Sequence, residues 1–314
     1  MRLPRLSPAT YRRITLVAVI ALGFIIVTGG AVRLTGSGLG CPDWPTCAHD
    51  RVVAPWEYHA MVEFVNRTIT GLVSVAVILA VLGSLVRRPR RRDLVWLSAG
   101  LVAGVVGQIV LGGLTVLFHL APPLVMSHFL LSMVILADAV VLHHRAGDPD
   151  DGIARPVVSR DLRRLGGLVV ASAALTIFLG TVLTGSGPHG GDEDVERLPF
   201  FVPDVARVHG VSVMIFLGLV LVTLWRLRRD GAPAGLLRRG EVLLAVLVAQ
   251  AAVGYVQYFT GVPVLLVGVH ILGATLVWAA VIRFFLGFST REVVARPAVA
   301  ASGEGQPSEL LPST

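Results

Sequence analysis

Eight stretches of this chain are apolar for long enough to cross a lipid bilayer, and short polar segments separate them. A spanning helix needs about 20 mostly apolar residues. Residues 14–32, 59–86, 94–118, 123–144, 164–184, 204–227, 240–259 and 262–286 each meet that requirement. The first stretch is uncharged from Ile14 to Val32, and no small-residue cleavage site follows it. It is therefore expected to be a retained first helix and not a removed signal peptide. The pattern predicts an all-α polytopic membrane protein.

The polar breaks carry a second pattern. The first helix ends in Leu34-Thr35-Gly36-Ser37-Gly38 and the fifth in Leu183-Thr184-Gly185-Ser186-Gly187. Gln108 precedes His128 by 20 residues, and Gln250 precedes His270 by the same 20; Gly112 and Gly254 each stand four residues after their glutamine. Helices one to four and five to eight therefore read as two tandem four-helix bundles. Because four is even, both copies enter the membrane from the same side, which makes the internal repeat parallel. Four-helix units hold cofactors between facing helices, so two copies predict two pockets. His128, His209 and His270 are expected roughly 7–12 Å below the outer helix ends, at about 1.5 Å per residue.

Composition agrees: 54% of residues are hydrophobic, 15% are charged, and the mean hydropathy is +0.76. Charge adds orientation. All 27 basic residues are arginines, and 22 of them flank one set of helix ends, whereas the opposite connections hold only Arg33, Arg51 and Arg197. The positive-inside rule then puts both termini in the cytoplasm, with two long outer loops at 33–58 and 185–203. The organisation expected is a cytoplasmic N-terminus (1–13), an N-terminal half (14–144), a cytoplasmic linker (145–163), a C-terminal half (164–286) and a disordered tail (287–314). A net charge of +7 does not signal nucleic-acid binding, because the arginines bracket helices and form no continuous stripe.

Three constellations could carry chemistry. His209 and His270, on the second and fourth helices of the C-terminal half, suit the two axial positions of one haem iron. Two hydrogen-bonded histidines tying helices together is the plainer alternative, but ionisable groups inside a membrane are costly and usually functional. The second is Glu63-Phe64-Val65-Asn66-Arg67, where Glu63 and Arg67 could make an ordinary i,i+4 ion pair. Asn66 falls opposite His209 in the repeat, so the N-terminal half offers His128 with an asparagine where the other half has a second imidazole. One pocket then suits a permanent cofactor and the other a substrate that comes and goes. The third is Cys41 and Cys47, the only cysteines, expected in an oxidising compartment as a disulfide; a redox-active thiol pair is the alternative. Of the remaining residues, Arg207 could pair with a haem propionate or a lipid phosphate, and His119 with a propionate. His59 could orient Glu63, Asp138 should have a hydroxyl or water partner, His143 and His144 should be solvated, and His49 and His189 fall in outer loops.

Taken together, the duplication, the Glu63–Arg67 motif, the cysteine pair, Val205-Ala206-Arg207-Val208-His209-Gly210 and His270 resemble the bacterial haem A synthases over residues 14–286. The resemblance implies an oxidoreductase of the bacterial plasma membrane that oxidises the C8 methyl of haem O to the formyl group of haem A by successive hydroxylations. It implies haem b on His209 and His270, substrate haem at His128 with Asn66 and Arg67, and Glu63 as the required carboxylate. Expected partners are haem O, the farnesyltransferase that makes it, cytochrome oxidase assembly factors, membrane lipid and, as an open question, a second copy. Many members have a histidine where this chain has Asn66. Rival classes are a quinol-linked cytochrome b-like carrier, which would need two histidines per pocket, and a haem exporter, which would leave Glu63 without a task.

Overall fold

The structure, a computed structural model, describes residues 5–48 and 51–293. Its helices are α1 (Pro8–Leu34), α2 (Tyr58–Val86), α3 (Arg92–Leu117), α4 (Pro122–Ala146), α5 (Arg160–Ser186), α6 (Val202–Arg229), α7 (Ala234–Phe259) and α8 (Val264–Leu286). All eight are long and apolar enough to span a membrane, and the chain is a multi-pass membrane protein. Several reach beyond the apolar stretches at the arginine-rich end. α1 begins at Pro8, where the Ser7 hydroxyl accepts the Thr10 N–H at 3.2 Å. α5 begins at Arg160, where the Ser159 hydroxyl accepts the Leu162 N–H at 3.3 Å. Such caps satisfy first-turn donors outside the apolar core, so hydropathy measures the lipid-embedded length and not the whole helix.

Helices α1–α4 pack on one another, as do α5–α8. The two halves meet where α1 and α4 press against α8, and where α4 meets α5. Small residues allow the approach: a methyl added at Gly30 of α1 would lie 2.7 Å from Ile271 Cδ1 of α8. The indole N–H of Trp278 crosses the same seam to donate to the Met133 carbonyl at 2.8 Å. With no water in the hydrocarbon to drive helices together, close packing and such bonds do that work.

Two expectations are corrected at the arginine-rich end. The segment after α8 is not irregular throughout: β2 (Ser289–Val293) pairs antiparallel with β1 (Gly152–Pro156) inside the α4–α5 linker, Gly152 opposite Val293. Backbone pairing orders it where composition gives no apolar cue; residues 294–314 of the expected tail lie outside the described residues. The strap is flanked by charges. Fully buried Arg87 meets Asp150 at 2.6 Å, Arg91 meets Asp93 at 2.7 Å, and Arg291 lies 3.7 Å from Asp148. His143 is also not merely solvated: its Nδ1 lies 3.1 Å from the hydroxyl of buried Thr15 on α1.

Candidate functional site

Each of the three histidines sits in a notch made by a glycine on the preceding helix. A methyl at Gly112 of α3 would lie 3.4 Å from His128 Cε1 on α4, and one at Gly254 of α7 only 3.0 Å from His270 Cε1 on α8. Gly180 of α5 stands 3.2 Å from His209 Cε1 on α6 in the same sense. The two glutamines explain the shared interval. Gln108 donates to the His128 carbonyl at 2.9 Å and Gln250 to the His270 carbonyl at 2.8 Å. A helix-to-helix bond thus fixes the backbone under each ring while the glycine leaves room for it. Gln108 also donates to Ser132 at 2.7 Å, whereas Ala274 holds the corresponding place in the other half. Gly180 gave no sequence signal, because it has no glutamine beside it.

The residues fit a haem. Nδ1 of His128 and of His270 is buried with no hydrogen-bond partner, as is Asn66 Oδ1, while the His209 ring lies against the Thr176 backbone. Buried polar atoms are normally bonded, so these sites are built around something other than packing. Each ring is only half-buried, sealed on its Nδ1 edge and open elsewhere. His209 is within electrostatic reach of His270. Two imidazoles from facing helices match axial ligation. Among the described residues no group of three or more His, Cys, Asp or Glu converges as a bare ion would require.

Glu63 is held quite differently. It is 6% exposed, near the start of α2, and faces three N–H donors. Cys41 N–H donates to Oε2 at 2.8 Å, while Arg67 Nε and Nη2 donate to Oε1 at 3.1 and 2.6 Å. Three donors and no acceptor satisfy an ionised carboxylate. The expected i,i+4 pair therefore exists, but Arg67 does more than pair. Its remaining donors reach the carbonyls of Thr46 at 2.8 Å, Cys41 at 3.1 Å and Asp43 at 3.3 Å. Cys41 and Cys47 form a disulfide, as the short gap suggested, and both are buried. Arg67 thus clamps the carboxylate to the disulfide loop, and its donors are consumed there. The loop lies against α2 so closely that a methyl at Gly40 would collide with the His59 carbonyl. The loop also lays the Trp44 indole on α3, 2.8 Å from where a Gly113 methyl would be, one residue from the His128 notch.

Other candidates stand apart. Arg207 is 80% exposed and pairs with Asp204 at 3.3 Å. His59 bonds Ser37 at 2.9 Å, not Glu63. His119 forms part of the left-handed turn between α3 and α4, with φ of 50°. The carboxylate of Asp138 packs toward α3, with Oδ2 2.7 Å from where a Gly100 methyl would stand. His189 bonds the Val262 carbonyl at 2.9 Å; His49 lies outside the described residues.

Comparison with known proteins decides the family. Residues 12–188 match the family model COX15-CtaA, described as cytochrome oxidase assembly protein. The chain belongs to that family. The matched span holds Glu63, Asn66, Arg67, both cysteines and His128. Relatives extend the likeness further. A protein of Listeria welshimeri named Heme A synthase is 26% identical over 284 residues, covering 84% of this chain and 91% of the relative. One of Shouchella clausii with the same name is 24% identical over 265 residues, covering 79% and 87%. A third, from Alkalihalophilus pseudofirmus and also so named, is 27% identical over 181 residues, covering 56% and 61%.

Proposed function

We propose that the protein is a haem A synthase, which oxidises the C8 methyl of haem O to a formyl group by successive hydroxylations. The observation that carries the reading is Glu63: a buried carboxylate fixed by three N–H donors. It stands three residues from Asn66, in the half whose His128 lacks a second imidazole. A structural ion pair alone would not need its partner tied to a disulfide loop. The names of the relatives and the family description support the same reading.

In this reading His209 and His270 hold haem b as resident cofactor, and the N-terminal half receives haem O at His128, Asn66 and Glu63. Bound haem b supplies one-electron chemistry. The glycine notches and glutamine bonds orient the imidazoles. Glu63 would stabilise positive charge developing at the methyl or accept the proton released there. Arg67 keeps it in place. The two halves are copies of one four-helix unit. The arginine bias supports a reading with both termini in the bacterial cytoplasm and the disulfide loop on the oxidising side. Substrate then comes from a haem O-producing farnesyltransferase in the same membrane, and product goes to oxidase assembly.

The test is co-expression with that farnesyltransferase and mass analysis of extracted haems. Haem A or a hydroxylated intermediate is expected; haem O recovered unchanged would overturn the proposal.

A further inference from the structure

Two cations converge at the seam between the halves with no carboxylate partner among the described residues. Arg33 is in the last turn of α1, and Arg197 is in the α5–α6 connection. Consecutive glycines separate them. A methyl at Gly190 would collide with the Arg197 guanidinium, and one at Gly191 would lie 3.5 Å from Arg33 Cγ. Gly191 has φ of +109°, open to glycine and not to a bulkier residue. Its carbonyl accepts the Gly38 N–H at 2.8 Å, which pins this turn onto the exit of the other half.

Each arginine spends one donor group on backbone. Arg33 Nη2 donates to the Thr184 carbonyl at 2.8 Å and Arg197 Nη2 to the Pro188 carbonyl at 2.7 Å. Arg33 Nε is buried with no acceptor. The same connection carries Asp192, Glu193, Asp194 and Glu196. Even so, among the described residues no carboxylate lies within ion-pair distance of either arginine. The charge of Arg197 bears on Arg33, and burial pulls Arg197 below the ordinary arginine range. Both guanidinium side chains are only half-buried, but a partly desolvated cation without a counter-charge still carries a cost, and a second one beside it raises it. A molecule keeps such a pair where an anion completes it.

We propose that Arg33 and Arg197 form a binding site for the oxyanion group, carboxylate or phosphate, of a ligand seated at the seam. Planar guanidinium forks match both groups. On the N-terminal side the site is bordered by Leu120, whose Cδ1 lies 3.0 Å from the Gly191 methyl position and which stands two residues before α4, the helix that carries His128. The carboxylate would be a haem propionate, an assignment that rests on the haem reading above; the phosphate would be a phospholipid headgroup and stands without it.

The purified full-length protein is titrated with haem and with haem dimethyl ester, which lacks the propionate charges. With a propionate as ligand, the native protein prefers the diacid by roughly tenfold, the worth of one charged hydrogen-bonded contact. Arg33→Gln and Arg197→Gln abolish the preference, and Arg33→Lys retains part of it. With a lipid as ligand, both haems bind alike, but phosphorus from phosphatidylglycerol nanodiscs stays with the native protein through detergent exchange and is lost from the Gln variants. Equal haem affinities, with the same retained phosphorus in native and Gln proteins, overturn the site. The ester comparison on native protein needs no variant, so a misfolded mutant cannot obscure it. Haem O conversion is assayed in parallel. Diacid preference without conversion sinks the proposed activity and keeps this site; conversion with neither preference nor retained lipid does the reverse.

Discussion

His270 in the C-terminal half has His209 at the second-helix position, whereas His128 in the N-terminal half has Asn66 there. The frame beneath is the same in both: a glutamine bonded to the histidine carbonyl and a glycine notch under the ring. What differs is what surrounds it. The N-terminal half adds a disulfide loop, a buried carboxylate and an arginine that joins them. Under the proposed function, the comparison teaches that holding a haem needs the frame and its imidazoles, while changing one needs groups whose positions are fixed from outside the bundle.

The largest expected effect tests that division. Glu63→Gln should reduce haem O conversion by roughly 10²–10⁴-fold, the range for a positioned acid–base group, with haem b content unchanged by absorbance. Conversion at the native rate would remove the role given to Glu63. Next come the imidazoles. His209→Ala or His270→Ala should abolish the low-spin haem signal of the purified protein, whereas His128→Ala should keep that signal and lose conversion. Equal loss of signal in all three would erase the contrast between pockets.

Smaller effects probe the frame. Gly254→Ala should destabilise the protein by about 1–3 kcal/mol, because its methyl would stand 3.0 Å from His270. Gly112→Ala, at 3.4 Å from His128, should cost less; thermal melts of the two variants would rank them. Smallest are the glutamines. Gln250→Leu loses one hydrogen bond, about 1 kcal/mol, and Gln108→Leu loses two, so the melting shift should be larger in the N-terminal half.

The spans, the glutamine–histidine interval and the Glu63–Arg67 pair were legible because each is local or periodic. An interval repeated in both halves marks equivalent places in two copies, and i,i+4 neighbours on a helix must meet. The reach of Arg67 to Thr46 and Cys41 was not legible, since it depends on how a loop folds back over a helix. Gly180 and the meeting of Arg33 with Arg197 were hidden for the same reason: 197 and 33 are brought together only by packing one half on the other. The β1–β2 pairing escaped because the two five-residue strands, Gly152-Ile153-Ala154-Arg155-Pro156 and Ser289-Thr290-Arg291-Glu292-Val293, are short and have no apolar alternation to read.

That pairing has a mechanical consequence. Five residue pairs join the middle of the chain to the segment leaving its last helix, which ties off residues 152–293 as a closed loop at one end of the bundle. A rocking of one half against the other at that end would have to strip the strands apart first. At the opposite end no strand pairing ties one half to the other among the described residues; there the halves are joined by side-chain and single backbone bonds such as Arg33 to the Thr184 carbonyl and Gly38 N–H to the Gly191 carbonyl.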